Sequence, residues 1–240
     1  MIPILPVDPH APFPPLERAL HEPNGLLCAG GDLSAPRLLN AYHHGIFPWF
    51  NPGEPILWWS PDPRMVFRSD SVRLSSKFRR QLRHNTWTLR ADSAFAAVMR
   101  ACAISPRPGQ HGTWIGDDML DAYVELHRLG HAHSIEVFDG ERLVGGIYGV
   151  AIGRMFYGES MFSGVSGGSK IALAALARLL DSRGWPLIDA QVESPHLRTL
   201  GAETMPREIF ARRIATLVEQ PGRIGSWCND LPDLPVSGLS

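Results

Sequence analysis

Hydrophobic positions are irregularly spaced at the start of this chain and periodic in the rest. Thirteen of the 21 prolines lie within residues 1–66, and the apolar stretches between them are short. Because proline removes a backbone donor and disfavours helix in the residue before it, regular elements there must be short. One amphipathic helix is expected after Ser34-Ala35-Pro36, ending at Gly45. We therefore predict a small, irregular N-terminal domain at residues 1–66 and a larger domain at residues 67–240.

The larger domain alternates helical and strand-like patterns. Apolar residues at helical spacing predict helices over about 75–83, 92–102, 117–129, 170–182 and 206–218. Alternating patterns on both sides of Asp139-Gly140 predict a hairpin of strands at 134–138 and 142–150, and further strands are expected at 154–160 and 187–192. This order predicts a layered α+β domain with a mostly antiparallel sheet.

Composition narrows the class of protein. With 240 residues, of which 44% are hydrophobic, the chain can bury a sizeable core. Its three cysteines are far apart and lack CxxC spacing, which argues against a disulfide framework or a zinc knuckle. The first residues lack the features of a signal peptide, and no apolar run is long enough for a membrane span. We expect a cytoplasmic protein with no membrane association.

Charge is balanced overall but concentrated in one segment. The formal net charge is −1, whereas residues 64–90 carry eight basic side chains against a single acid, Asp70. Such a segment attracts a phosphate backbone, although a solvated helix face has the same composition. The candidates for binding such a backbone are Lys77, Arg79, Arg80 and Arg83.

The stretch from Tyr157 to Lys170 joins a predicted strand to a predicted helix through a turn of glycines and serines. Backbone N–H groups of such a turn, at a helix N-terminus, can hold an anion or a carbonyl oxygen. A plain connection capped by Ser169 would have the same residues. Glu159 projects from the strand and is a candidate acid.

Two polar residues share one face of the strand predicted at 187–192. Asp189 and Gln191 alternate there with apolar neighbours. An unpaired polar group costs about 1–3 kcal/mol when it is buried, so these side chains need either a chemical role or a structural partner. A carboxylate and an amide are suited to guiding an amine that attacks an ester. A structural aspartate remains the alternative.

Aromatic residues crowd the proline-rich segment 45–64, with Trp49 among them. The segment is too irregular for a long strand and too apolar for a free linker, so it either packs between two domains or lines a pocket. Histidines at 43–44 and at 131 and 133 lack the helical pairing and added ligands of a zinc site. We therefore expect no metal.

Five separated motifs resemble those of the leucyl/phenylalanyl-tRNA–protein transferases. They are GIFPWF, ILWWSPDPR, GTWIG, FYGESMFS followed by SK, and IDAQ followed by SPH and LGAE, in this order across nearly the whole chain. The resemblance implies a cytoplasmic aminoacyltransferase that moves leucine or phenylalanine from charged tRNA to a protein with an N-terminal Arg or Lys, marking it for N-end-rule degradation. It also implies a GNAT-like acyltransferase domain and no metal or nucleotide cofactor.

The resemblance assigns roles by motif. Asp189 and Gln191 match the family's proposed catalytic pair, and Glu159 matches its acid. Trp49 and Trp114 lie in motifs associated with the terminal adenosine and the aminoacyl end, with Tyr123 beside them. An apolar pocket for the aminoacyl side chain is expected between the 154–160 strand and the 170–182 helix. Its candidate substrate-binding residues are Phe156, Met161, Ser163, Leu173, Leu176 and Ile188.

Two other functions stay open at this stage. An acetyl-CoA-dependent N-acetyltransferase would use the Gly/Ser turn as a pyrophosphate cradle, but its RxxGxG/A pattern is absent. A tRNA-binding module without catalysis would account for the basic segment and leave Asp189 and Gln191 without a role.

Overall fold

The first part of the chain forms a small sheet around one helix. The computed structural model describes residues 2–105 and 115–240. Four short strands pair in the order β1-β2-β4-β3, which confirms that regular structure is brief here. These strands are β1 (Ile4–Leu5), β2 (Leu26–Gly30), β3 (Phe47–Pro48) and β4 (Leu57–Trp59), and helix α1 (Ala35–His43) lies between β2 and β3.

Helix α1 begins and ends as its sequence predicts. Ser34 is extended and precedes the helix, and Pro36 occupies its first turn, where a missing N–H costs nothing. Leu38, Ala41 and Tyr42 form its buried face. Gly45 follows with φ +72, and a Cβ there would lie within 3 Å of apolar side chains from the C-terminal part of the chain. The end of α1 therefore packs closely on the C-terminal part of the chain.

A larger sheet of eight strands follows. Its order is β11-β5-β10-β9-β8-β7-β6-β12, and every neighbouring pair is antiparallel except β9 and β10. The predicted α+β class with a mostly antiparallel sheet is confirmed. The strands are β5 (Arg64–Arg68), β6 (Thr88–Ala91), β7 (Ala132–Asp139), β8 (Arg142–Ile152), β9 (Met155–Ser163), β10 (Leu187–Gln191), β11 (Glu203–Met205) and β12 (Leu234–Pro235).

Helices cover both faces of this sheet. Five of them confirm predictions, whereas the short helix α6 was not predicted. The helices are α2 (Ser76–Leu82), α3 (Phe95–Ile104), α4 (Asp117–Arg128), α5 (Gly168–Ser182), α6 (Pro195–Thr199) and α7 (Arg207–Leu217). The predicted start of α3 at Asp92 is wrong. Asp92 has φ +56, and its carboxylate accepts backbone N–H groups of Ser134 and Trp227, so it ends β6 instead of capping the helix.

The two faces of the sheet contribute to two separate cores. Helix α5 covers one face, where Leu173, Leu176 and Leu180 are buried with Phe156. Helices α1, α3 and α4 pack over the other face, where Tyr42 and Tyr123 meet Tyr157. The proline-rich first part of the chain thus packs directly on the sheet.

The change from the small sheet to the large one falls between Trp59 and Arg64. Strand β5, which begins at Arg64, pairs with β10 and β11 and so belongs to the large sheet. The division into residues 1–66 and 67–240 remains a prediction. Among the helices described in residues 2–105 and 115–240, none is both long and apolar enough to cross a membrane.

Candidate active site

A β-bulge in strand β9 determines which way Glu159 points. Tyr148 pairs with Ser160 and Gly149 pairs with Gly158, so Glu159 is the extra residue in β9. A bulge changes which side chains share a face, and Glu159 reaches the face covered by α1 and α4. A Cβ on Gly149 would lie 2.1 Å from the carbonyl oxygen of Tyr157. Glycine is therefore required where β8 approaches the bulge.

Three side chains donate hydrogen bonds to the Glu159 carboxylate. The Tyr42 hydroxyl and the Gln191 amide donate to Oε1 at 2.7 and 2.6 Å, and the Tyr123 hydroxyl donates to Oε2 at 3.1 Å. The two tyrosine hydroxyls also contact each other. Tyr42 lies on α1, Tyr123 on α4 and Gln191 at the end of β10, so three elements far apart in sequence meet at one carboxylate.

The surroundings of Glu159 change its acidity. Burial raises its pKa to about 7, and the nearby Asp189 charge adds to this, whereas the hydrogen bonds from Tyr42, Tyr123 and Gln191 oppose it. Burial, together with the charge of Glu159, raises the pKa of both tyrosines well above the usual range. The tyrosines therefore remain neutral donors at neutral pH. Glu159 can exchange a proton there.

A second β-bulge, in strand β10, determines the position of Gln191. Asp189 pairs with Val66 and Gln191 with Met65, so one extra residue of β10 lies between them. Gln191 has φ +60, a conformation uncommon for any residue other than glycine. Its half-buried side chain is thereby brought to Glu159. This contact between Gln191 and Glu159 was not predicted from the sequence, because strand alternation alone does not place the two side chains together.

Asp189 does not face an open site. It is 0% exposed, and both carboxylate oxygens accept from Arg64, at 2.8 and 2.6 Å. Oδ1 also accepts the backbone N–H of Gln191 at 2.9 Å. Protein donors therefore engage both of its oxygens. Its catalytic assignment stays a prediction.

Arg64 is the first of the eight basic residues in segment 64–90, and it is fully buried. Its guanidinium lies 4.8 Å from the ring centroid of Phe47 and 4.7 Å from that of Phe210. Arg68 and Arg90 of the same basic segment pair with Asp70 and Asp233. Three of the eight charges in that segment are therefore neutralised within the fold.

The four candidates for binding tRNA stay at the surface. Helix α2 and the residue that ends it carry them, and all four are exposed. In the described part of the chain they form no ion pair. Their cationic groups are therefore open to a ligand, and their role stays a prediction. They are Lys77, Arg79, Arg80 and Arg83.

The structure does not bring the predicted apolar pocket to the Glu159 carboxylate. Four of its residues are at most 2% exposed and lie in the core under α5, on the face opposite the tyrosines. Met161 is half-buried against the same core. Strand alternation explains the separation, since Phe156 and Tyr157 must point to opposite faces. The four are Phe156, Leu173, Leu176 and Ile188, and the pocket stays a prediction.

The Gly/Ser turn packs as a helix connection. The Ser163 hydroxyl donates to Ser169 Oγ at 2.9 Å and accepts the Ser169 N–H at 2.9 Å, which satisfies one backbone donor in the first turn of α5. The predicted cap at Ser169 is wrong, because Ser169 lies within the helix and Gly167 occupies the N-cap position. A Cβ on Gly145 would lie 2.5 Å from Gly168, which shows how closely the turn lies on β8. This geometry favours the structural alternative for the turn. A substrate contact by Ser163, which is exposed, stays a prediction.

Trp49 is half-buried beside a second tryptophan. Its ring centroid is 5.6 Å from that of Trp59, whose indole N–H donates to the Trp49 carbonyl at 2.7 Å. Both rings contact the core between the first part of the chain and the large sheet. Trp114 lies outside the described residues.

Sequence reasoning missed two residues of this region, Tyr42 and Arg64. Tyr42 lies on the apolar face of a predicted helix, where a tyrosine is usually a core residue. Arg64 ends the motif ILWWSPDPR, and its place in a run of basic residues suggested exposure. Among the described residues, no group of three or more His, Cys, Asp or Glu side chains could hold a metal ion.

Comparison with known proteins agrees with the motifs. Residues 66–215 match the profile described as leucyl/phenylalanyl-tRNA protein transferase, and residues 31–62 match that of its N-terminal domain. A leucyl/phenylalanyl-tRNA–protein transferase of Xanthomonas campestris is 67% identical over 99% of this chain and 95% of its own length. The corresponding protein of Xylella fastidiosa is 61% identical over 93% and 92%.

A solved structure of a functionally unknown protein from Staphylococcus epidermidis covers 75% of this chain and 68% of its own, with 12% identity and a TM-score of 0.39. The family assignment depends on the sequence matches, which extend over both parts of the chain. The chain therefore belongs to the leucyl/phenylalanyl-tRNA–protein transferase family.

Proposed function

We propose that Glu159 and Gln191 carry the reaction of this family in this chain. The enzyme transfers leucine or phenylalanine from charged tRNA to the N-terminal Arg or Lys of an acceptor protein, and so marks that protein for N-end-rule degradation. The observation that carries the proposal is the 2.6 Å hydrogen bond from the Gln191 amide to a carboxylate whose pKa is about 7. A proton acceptor and an orienting amide are thus held together in one place.

The chemistry needs a proton acceptor close to neutrality. The acceptor α-amine attacks the carbonyl carbon of the aminoacyl ester, the C–N bond forms, and the ester C–O bond to the ribose breaks. The nitrogen must lose a proton, and the departing ribose oxygen must gain one. A free α-amine has a pKa of about 7.7–8.0, so the Glu159 carboxylate is matched to receive that proton and return it.

Gln191 completes this arrangement. One N–H of its amide already holds Glu159 Oε1, which leaves its carbonyl oxygen as an acceptor for an N–H of the attacking amine. Correct orientation of amine and ester supplies on the order of 7–11 kcal/mol, and positioned acid–base catalysis adds about 10²–10⁴ in rate. We assign Tyr42 and Tyr123 to keeping the carboxylate in place and tuning its pKa.

The exposed basic side chains of α2 are proposed to bind the tRNA backbone. Phosphates supply most of the salt-dependent affinity for a nucleic acid, and unpaired surface cations are the groups that provide it. Trp49 and Trp114 are proposed to contact the terminal adenosine. We place the enzyme in the cytoplasm, where charged tRNA occurs, in agreement with three cysteines that are far apart in the sequence and lack CxxC spacing.

A direct test is the transfer of labelled leucine from charged tRNA to a peptide that begins with Arg. The same peptide with an acetylated N-terminus is the matched control, because it lacks the nucleophilic amine. We expect label only in the free peptide. Labelling from acetyl-CoA without any from charged tRNA would instead support the acetyltransferase alternative, and tRNA binding with no transfer would support a non-catalytic module.

A further inference from the structure

We propose that segment 234–239 is a positioning element for tRNA binding, and that Val236 within it holds helix α2 in the orientation in which its basic side chains reach the tRNA backbone. The segment consists of β12 and a 3-10 helix (Val236–Leu239). The inference rests on the proposed function, since α2 must bind tRNA for its orientation to affect the transfer. Val236 is thus assigned as a positioning residue that acts through α2.

Helix α2 depends on its neighbours for its orientation. It has seven residues, and a helix this short is not stable without tertiary packing. Leu82 is buried, and Phe78 is half-buried against the core under α5. A Cβ on Gly167 would lie 2.7 Å from the Phe78 ring, so this ring lies on the turn that precedes α5. These two side chains hold one side of the helix, and the rest of its support comes from segment 234–239.

Segment 234–239 packs against both α2 and α5. Val236 is 0% exposed, and its N–H donates to the carbonyl oxygen of Trp87 at 3.0 Å. Trp87 lies in the connection between α2 and β6. Directly before Val236, Leu234 of β12 pairs with Leu89 of β6. The segment therefore fixes the helix together with the connection that follows it.

The end of the segment reaches the start of α2. Leu239 lines a cavity of about 660 Å³ between α2 and α5, which Ser75, Ser76 and Arg79 also line. Ser75 caps α2 by accepting the N–H of Phe78 at 3.2 Å. The guanidinium of Arg178 on α5 donates to the carbonyl of Gly238. The segment is thereby tied to α5 while it supports α2 beside one of the basic residues proposed to bind tRNA.

The two apolar side chains of the segment cannot bind RNA phosphates themselves. Val236 is enclosed, and Leu239, which is half-buried, has no charge or hydrogen-bond donor in its side chain. The basic residues of α2 are exposed, and phosphate contacts fix how a nucleic acid lies on a protein. Cations on one helix can meet successive phosphates only while that helix keeps its orientation. An effect of Val236 on the use of tRNA must therefore act through α2.

Val236→Ala tests the inference, because it removes two methyl groups from the interior beneath α2. We expect KM for charged tRNA to rise about tenfold with kcat unchanged. The plot of log affinity against log salt should become shallower by about 0.7–0.9 for each phosphate contact that is lost. A small aminoacyl-adenosine donor, which has no phosphate backbone, should be used as well as by wild type. Val98→Ala is the matched control, since Val98 is also 0% exposed but lies on α3 over the opposite face of the sheet.

Three results would overturn the proposal. They are a wild-type KM for tRNA in Val236→Ala, an equal loss with both donors, and an equal rise of KM in Val98→Ala. If Val236→Ala does not fold, Leu239→Ala takes its place, because Leu239 is half-buried in the same segment. The same split between the two donors is then expected, and a wild-type KM for tRNA would again overturn the proposal.

A double-mutant cycle shows whether Val236 acts through α2. In a protein with the charges of Arg79 and Arg80 reversed, Val236→Ala should raise KM for tRNA no further, since the contacts it disturbs are already lost. A further rise as large as in wild type would overturn the proposal. The cycle also separates the inference from the proposed function. Wild-type use of tRNA after the charge reversal alone would contradict the proposed role of α2, whereas an effect of the reversal with none of Val236→Ala would overturn only the positioning role.

Discussion

The side-chain amide of Gln191 donates to Glu159 Oε1 at 2.6 Å across two parallel strands, although 32 residues separate them. Strands β9 and β10 pair as far as Tyr157 and Asp189, and each has a bulge directly beyond that point. A bulge re-aims the side chains that follow it. The two bulges together bring the Glu159 carboxylate and the Gln191 amide to one site, just beyond the last paired residues of β9 and β10.

Glu159→Gln should lower kcat by about 10²–10⁴, because an amide cannot accept the proton from the attacking amine. Glutamine has nearly the same size, so thermal melting should remain close to that of wild type. Glu125→Gln is the control, since Glu125 pairs with Arg128 at the surface. Wild-type turnover in the Glu159 variant would contradict the assignment.

The pH dependence of kcat should show an ascending limb near pH 7. Burial and Asp189 raise the pKa of Glu159 to about 7, against the hydrogen bonds from Tyr42, Tyr123 and Gln191, and the carboxylate is the active form. Activity should therefore rise as pH increases through 7. This limb should be missing in Glu159→Gln, whereas deprotonation of the acceptor amine persists in both proteins. A limb unchanged by the substitution would assign it to another group.

The same pKa has a consequence for stability. The folded value of Glu159 lies above its ordinary value of 4.5, so the protonated carboxyl is favoured in the folded state. Its contribution to stability is fully present below pH 4.5 and is lost as pH rises through about 7. Compared with Glu159→Gln, the wild-type free energy of unfolding should therefore fall between those two pH values. Parallel denaturant titrations at pH 4.5 and pH 8 measure this difference.

Tyr42→Phe and Tyr123→Phe should each move the ascending limb of the pH profile to higher pH. Each removes a hydroxyl that stabilises the Glu159 carboxylate, and losing such a donor raises the pKa. Tyr157→Phe is a matched control, since the Tyr157 hydroxyl is buried without a hydrogen-bond partner in the described structure. A shift as large in the control would show a nonspecific effect of aromatic substitution.

Reversing the charge of Arg79 and Arg80 together should weaken the use of whole charged tRNA much more than the use of a small aminoacyl-adenosine donor. Only the tRNA has a phosphate backbone for the exposed face of α2 to bind. Each lost contact should also flatten the plot of log affinity against log salt by about 0.7–0.9. The control reverses Arg142 and Arg213, two exposed arginines on other elements. Equal loss with both donors would show that Arg79 and Arg80 are structural.

Leu176→Ala tests the predicted pocket for the aminoacyl side chain. If Leu176 borders that pocket, the variant should transfer tryptophan relative to leucine more readily than wild type, at a stability cost of about 2–5 kcal/mol. Leu180→Ala is the control, one turn later on the same helix and equally buried at 0%. A ratio of transfer rates that is unchanged in a folded Leu176 variant, or changed equally in both, would place the pocket elsewhere.

Local patterns in the sequence determined most of the helices, the central strands of the large sheet and the fold class. Helices α1, α2, α4, α5 and α7 follow apolar spacing and terminal signals within about two residues, and the β7–β8 hairpin follows Asp139-Gly140. These signals act over a few residues, so they can be recognised in the sequence directly. Five motifs were likewise sufficient to indicate the family and to select Asp189, Gln191 and Glu159 as candidate catalytic residues.

Only the tertiary structure decided what each polar side chain does. Alternation placed Asp189 and Gln191 on one face, but a bulge separates them, and Arg64, 125 residues away in sequence, encloses the aspartate. The same basic run contains the buried Arg64 and the exposed Arg79. The sequence does not distinguish them, because burial depends on long-range partners such as Phe47 and Phe210. A buried charge is tolerated only where the fold supplies its counterion, and that supply depends on contacts between distant segments.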